Sequence, residues 1–241
     1  MSPYSYEEEK TVEVPQIAVQ FVPSIPNDVT EENAHTISPQ DKHDKIEAKI
    51  KPVQYYVKAS FMITYILLLT TTVVTFIEAI RTKIPEVRHI LNLETCISIV
   101  AGYFYSIFLT QIEGFNKDNV PVDWSDISKT RYVDWSITTP LMLLTLCIVL
   151  GQHVGKKVDL SILLTVIGLN YIMLYIGYLG EVKTLGIWMA SFVGFIPFIA
   201  MFYIIYKNYV KPKYNFANYV LYGVYVVIWG LYGIVYLLKD E

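Results

Sequence analysis

Residues 131–141 read RYVDWSITTPL, an arginine and an aspartate three positions apart inside a run otherwise apolar enough to cross a membrane. Charge is costly at that depth, and an ionisable group there faces a bundle interior or a water-filled cavity. Three aliphatic hydroxyls, a tryptophan and a proline share the same eleven residues. Whether this stretch is a membrane helix or part of a soluble core decides the fold.

The surrounding sequence answers in favour of lipid. Of 241 residues, 54% are apolar and 17% charged, and the mean hydropathy is +0.39. An ordinary soluble domain carries roughly 25% charge. Six apolar stretches reach the length of about 18 residues that a helix needs to span hydrocarbon. They cover approximately 58–80, 91–112, 129–150, 158–180, 185–206 and 216–238. The sequence therefore predicts an all-α, multi-pass integral membrane protein whose first partner is the lipid bilayer. The net charge of −3 gives no footprint for nucleic acid. Cys96 and Cys147 both fall inside spans and read as buried free thiols rather than a disulfide framework.

Residues 1–52 differ in kind. YEEEK, PNDVTEEN and QDKHDKIEAKIK are polar and dotted with proline, so this stretch reads as a mostly disordered tail without a cleavable signal peptide. Loop charge sets the orientation. IRTKIPEVRH, GQHVGKK and YKNYVKPKY are basic, whereas the alternate loops IEGFNKDNVPVDWSDISK and GEVKT are not. The basic loops face the cytoplasm, which places the N-terminus outside. Short connections predict antiparallel packing of neighbours, with Gly102, Gly168, Gly177, Gly194 and Gly223 available for close helix approach.

On a helix, Arg131, Asp134 and Thr138 form one stripe, and Trp135, Thr139 and Met142 an adjoining one. If the helix starts near residues 124–126, Asp134 lies on the order of 12 Å in, at about 1.5 Å per residue. Pro140 would kink the helix and free a carbonyl. Standing alone, the charges could be a structural Arg131–Asp134 pair that fixes helix register. With the tryptophan and threonines beside them, they read as one wall of a polar pocket with an aromatic floor.

RYVDWSITTPLMLL resembles the third helix of the microbial, bacteriorhodopsin-like rhodopsins, whose pattern is R-Y-x-D-W-x-x-T-T-P-L. The resemblance implies a seven-helix bundle holding all-trans retinal on a protonated Schiff base. It implies Asp134 as counterion and proton acceptor, Arg131 between it and the extracellular side, and Thr138 hydrogen-bonded to the aspartate. Trp135, Thr139, Tyr132 and Met142 would touch the chromophore. In the fourth span GLNYIMLYIG is similar to the family's G-x-D-x-I-M-x-x-x-G, which puts Met173 and Gly177 beside the retinal ring and Asn170 where a carboxylate pairs with the second threonine. In IWMASFVGF, Trp188, Ser191 and Phe195 would line the ring end. WGLYGIVYLL resembles W-x-x-Y-P-x-x-W, so that Trp229 and Tyr236, with Trp135, would sandwich the polyene beside Tyr232. The second span, with Glu94 near its cytoplasmic end, resembles the large-virus and algal branch.

Two departures matter. The family's cytoplasmic proton donor, a carboxylate eleven residues after the counterion, is replaced by Thr145. The family's seventh helix carries the Schiff-base lysine, and no lysine in this sequence stands at mid-depth: Lys58, Lys157, Lys207 and Lys239 all sit at span ends. The expectation is a six-helix piece of a longer seven-helix rhodopsin. Its implied function is light-driven ion transport, outward proton pumping first, with protons or cations as the transported partners. Thr145, Glu94 and Asn170 keep a light-gated cation channel open as the alternative, and a sensory or retinal-free relative is a second one. A homo-oligomer is expected, since trimers and pentamers are common in the family. No metal site and no enzymatic activity are expected.

Overall fold

The computed structural model describes residues 39–117 and 122–237, with side chains from residue 55 onward except at 116 and 117. By internal contacts the chain divides into Met1–Lys45 and Ile46–Glu241. The first unit is described only over residues 39–45, which are helical. Residues 1–38 of the expected disordered tail lie outside the described residues. From Pro39 the backbone is helical, so α1 begins well before the boundary drawn at residue 53. The cause is local: HDKIEAKIK contains good helix formers.

The second unit is a helical membrane bundle. The elements are α1 (Pro39–Arg81), α2 (Pro85–Lys117), α3 (Trp124–Val154), α4 (Leu160–Glu181), α5 (Ile187–Ile205) and α6 (Phe216–Leu237), with a π turn (Tyr206–Val210) continuing α5. All six helices contain a segment long and apolar enough to span a membrane. The described residues include no strand. Most helices outrun their apolar windows because a helix can continue through the headgroup region, where polar residues are solvated.

Helix ends follow sequence signals. Pro85 opens α2, where its missing N–H costs nothing. Asp123 caps α3, its Oδ1 accepting from the backbone N–H groups of Ser125 (2.9 Å) and Asp126 (3.2 Å). Asp159 caps α4 the same way, from Ser161 and Ile162. Gly155 ends α3 at φ +71°, the left-handed conformation that suits glycine. Within the spans, threonine hydroxyls return to carbonyls one turn back, as Thr64, Thr70, Thr72, Thr110 and Thr165 do. That satisfies them without a partner helix.

α3 is central, packing on α2 and α4 and against the π turn, while α4 and α5 share the most extensive contact. One core cluster joins Leu143, Leu146, Cys147 and Leu150 of α3 to Val166, Met201, Phe202, Ile205 and Tyr209. A second, toward the outer side, joins Phe104, Phe108 and Ile112 of α2 to Ile127. α1 is moored to α2 by the Thr75–Thr95 hydroxyl pair (2.8 Å) and by Phe61 against Tyr105 and Phe108. Of the most apolar window of α6 nothing is buried, and of that of α1 only 6%, against 39% in α2 and α3. Among the described residues, α1 and α6 therefore contribute least to the buried interior.

Two sequence expectations need correction. Cys96 is exposed; only Cys147 is buried. Among the five glycines expected at helix contacts, only Gly177 is tight: a Cβ there would stand 2.8 Å from the Tyr132 hydroxyl. Gly168 and Gly223 meet nothing within 4 Å. The close approaches are instead at Gly180, against Tyr236 and Ala190, and at Gly233, 2.6 Å from the Phe195 ring. Small residues identify possible contacts, but helix rotation decides which are used.

Candidate functional site

A cavity of about 460 Å³ lies between α3, α4, α5 and α6 in the outer half of the bundle. Arg131, Tyr132 and Trp135 line it from α3, Met173 and Gly177 from α4, Ser191 and Phe195 from α5, and Trp229, Tyr232 and Tyr236 from α6. Ten residues singled out in four separate spans thus converge on one space. Trp135 meets Tyr232 edge-on with ring centroids 5.6 Å apart. Trp229 packs edge-on against Phe202, at 5.8 Å. The Tyr236 hydroxyl donates to the main-chain carbonyl of Gly177 (3.1 Å), joining α6 to α4 at the outer end. That contact needs glycine at 180, because a Cβ there would run into the same hydroxyl.

Asp134 is buried on α3 on the edge of this cavity's wall, outside the lining itself. Its Oδ1 has no hydrogen-bond partner among the described residues. The Thr138 hydroxyl donates to the main-chain carbonyl of Asp134 (2.9 Å). Arg131 lies over the Trp135 ring, its guanidinium carbon 5.9 Å from the centroid. No ion pair within 4.0 Å joins it to Asp134. The side chains therefore do not adopt the structural Arg–Asp pair that the spacing allowed. A buried carboxylate with an open acceptor oxygen, one turn from a cation, can take up a proton.

Asn170 is fully buried, and its Nδ2 donates to the Thr139 hydroxyl (2.8 Å), which itself donates to the carbonyl of Trp135 (2.6 Å). This chain of bonds ties α4 to α3 one turn from Asp134, through the pair of positions the sequence placed opposite each other. Asn170 Oδ1 and Ser191 Oγ are, like Asp134 Oδ1, buried without a hydrogen-bond partner among the described residues. Thr145 is buried and spends its hydroxyl on the carbonyl of Leu141 (2.9 Å). Met142 is half-buried and outside the cavity lining. Glu94 is half-buried on α2, within electrostatic reach of Tyr225 on α6 and far along the bundle from the cavity.

Trp188 is the clear exception. It is 58% exposed and stacks on Phe192 (centroids 6.3 Å), outside the cavity. It stands in the first turn of α5, and its ring follows the outward stripe of Phe192, Ile196, Ile199 and Tyr203. Two functional candidates escaped the sequence. Glu181, buried in the last turn of α4, lines the cavity with Arg131. Tyr105 on α2 is within electrostatic reach of Arg131, Asp134 and Tyr232. An acid closing an apolar span was the available signal for Glu181; a tyrosine in a span rich in aromatics gave none.

The aromatic walls and the glycine-cleared floor fit an elongated apolar polyene. No lysine is among the lining residues, so these walls offer it no covalent attachment.

Comparison with known proteins identifies the family. The family profile described as bacteriorhodopsin-like protein matches residues 56–241. Bacteriorhodopsin of Halobacterium salinarum is 27% identical over 169 residues, 65% of this chain and 60% of its own length. The chain thus spans less than two thirds of that relative. The crystal structure of the viral rhodopsin OLPVRII superposes with a TM-score of 0.68 at 42% identity, covering 75% of this chain and 83% of that one. Xanthorhodopsin, described as a light-driven ion pump with dual chromophore, shares the fold at a TM-score of 0.62 and 21% identity, over 79% and 81% of the two chains. Matched over most of its length by the family profile and by a viral relative, the chain belongs to the bacteriorhodopsin-like rhodopsins.

Proposed function

We propose that this chain is part of a retinal-dependent, light-driven ion transporter that moves protons outward with Asp134 as acceptor, the lysine that holds retinal lying outside the walls described above. The observation that carries the reading is the buried Asp134, with one carboxylate oxygen open, beside an aromatic cavity built from four helices. Its relatives support it: bacteriorhodopsin by sequence, and xanthorhodopsin, whose description names a light-driven ion pump.

Bound retinal would supply light absorption, isomerisation and the proton to be moved. The chain's own residues account for everything else. Trp135, Trp229 and Tyr236 would hold the polyene between ring faces, with Met173, Gly177 and Phe195 around its ring end. Asp134, poorly solvated, holds either charge or proton depending on the charge nearest to it. Arg131 stands one turn toward the outer side, where a positive charge favours the departure of a proton from Asp134. The Asn170–Thr139 bond fixes the wall opposite and keeps it neutral. An aspartate at 134 leaves no anion site of the kind a neutral residue would open.

A light-gated cation channel is the second reading. Thr145 puts a neutral hydroxyl where a cytoplasmic donor would stand, and Glu94 sets an acid on the cytoplasmic half of α2. The test is to express the chain with all-trans retinal, record the visible spectrum before and after borohydride, and measure light-driven currents in vesicles. A coloured, borohydride-sensitive protein with outward current against a proton gradient supports pumping. Current that reverses with the gradient supports the channel. A colourless protein with no retinyl adduct means the covalent site is missing from these residues; fusing a seventh helix that carries the family's lysine should then restore colour, and a fusion that stays colourless refutes the retinal reading.

A further inference from the structure

Outside the cavity, a groove of about 510 Å³ opens on the lipid-facing surface between α2, α3 and α4. Its walls are Phe104 of α2, Val133 and Ser136 of α3, and Tyr171, Leu174 and Tyr175 of α4. Lys129 and Tyr178 line its outer end. Three features set it apart from an ordinary helix–helix crevice.

The first is level. α3 has 31 residues, so at roughly 1.5 Å per residue it is about 46 Å long against a hydrocarbon core of about 30 Å. Centred, it leaves roughly 8 Å outside the core at each end. Lys129 follows Trp124 by five residues, about 7.5 Å along the axis, which is the boundary between headgroups and hydrocarbon. Ser136, at the other end of the groove, lies about 10 Å deeper.

The second is charge. No carboxylate lies within 4.0 Å of the Lys129 ammonium among the described residues. The nearby acids are turned elsewhere: Asp123 caps α3, and Asp126 accepts from the Gln111 side chain (3.2 Å). The third is polarity along the groove. The Tyr171 hydroxyl is spent on the main-chain carbonyl of Ser136 (3.1 Å), leaving an apolar floor. The Tyr178 ring is braced edge-on by Tyr132 (5.8 Å). The hydroxyls of Tyr175 and Tyr178 make no hydrogen bond among the described residues. A cation at the headgroup boundary above an apolar trough matches one amphiphile: negative at the top, aliphatic below.

We propose that this groove is a site for a glycerophospholipid with an anionic headgroup, its phosphate on Lys129 and one acyl chain along Val133, Tyr171 and Tyr175. The proposal does not rest on the transport reading, although Tyr132 and Leu174 stand between the groove and the cavity and line both.

Native mass spectrometry of the full chain, released from nanodiscs of mixed phosphatidylglycerol and phosphatidylcholine, tests it. One lysine near the surface corresponds to about a fivefold preference for the anionic lipid. The wild type should retain one phosphatidylglycerol per chain with that preference. Lys129→Gln should abolish the preference, and Lys129→Arg should keep it. Val133→Trp, which fills the trough from the lipid side, should remove the retained lipid of either kind. Equal preference in wild type and Lys129→Gln would overturn the proposal, as would lipid retention that survives Val133→Trp. So would lipid-free oligomers cross-linked through Tyr175→Cys, since the groove would then be covered by a second copy.

Discussion

Asn218, in the first turn of α6, is fully buried and ties together three elements at the cytoplasmic end. Its Nδ2 donates to the carbonyls of Leu150 on α3 (3.0 Å) and Tyr209 in the π turn (3.3 Å), and its Oδ1 pairs with His153 Nδ1. With Nδ2 committed to carbonyls, Oδ1 is the acceptor and His153 Nδ1 carries the proton. Hydrogen bonds between membrane helices average about 0.6 kcal/mol, with a maximum near 1.7. Three of them give about 2 kcal/mol, and a small void in place of the amide adds roughly 1 more. Asn218→Ala should therefore cost about 3 kcal/mol. Asn218→Asp keeps the size and the His153 bond but turns a carboxylate oxygen toward two carbonyls, and should cost more than the alanine. His153→Ala removes one bond alone and should cost about 0.6 kcal/mol. The assay is reversible unfolding in mixed micelles, followed by hydrogen exchange at the amides of α6. Asn218→Asp as stable as wild type would refute the donor assignment. Asn218→Ala costing no more than His153→Ala would refute the three-element clasp.

Other consequences are as direct. Asn170→Ala and Thr139→Ala should each destabilise by about 0.5–1.5 kcal/mol, and the double variant by less than their sum, because they share one bond; strict additivity in a double-mutant cycle would show the bond contributes nothing. Asp134→Asn should fold as stably as wild type, since no ion pair is lost, yet abolish light-driven acidification in retinal-loaded vesicles; retained acidification would remove Asp134 from the acceptor role. In a Trp124→Phe/Trp188→Phe background, Gly180→Leu should separate α4 from α6 at the outer end, breaking the Tyr236–Gly177 bond and increasing acrylamide quenching of Trp135 and Trp229 fluorescence; unchanged quenching would mean the cavity is not closed there.

Much of this was legible before any coordinates, and the parts that were not share a cause. The spans follow from length and apolarity, and the α3 wall follows from charges that lipid does not tolerate without reason. Asn170 and Thr139 found each other because both are polar in apolar helices, so each had to point inward. Apolar residues carry no such constraint. In lipid both faces of a helix are apolar, so nothing in the sequence sets its rotation, and Trp188 turned outward although Ser191 and Phe195 face the cavity. Gly168 and Gly223 stand idle for the same reason, while Gly180 and Gly233 receive a neighbouring side chain. Glu181 was hidden by its place at a span end, where an acid ordinarily meets solvent. The start of α1 was misjudged because polar residues can be helical outside hydrocarbon.

The π turn at the end of α5 has a bearing on how such a chain can change in length. Lys211 N–H bonds to the carbonyl of Tyr206, five residues back, at 2.9 Å, one residue more than an α turn holds. Two successive side chains, Tyr209 and Val210, are both fully buried there. Such a turn absorbs one inserted residue while the helix before it and the chain after it keep their places. A single-residue gap between Ile205 and Lys211 is thus structurally permitted inside a membrane span. Alignments that push such a gap into the following loop would shift Tyr209 off the carbonyl that Asn218 reads.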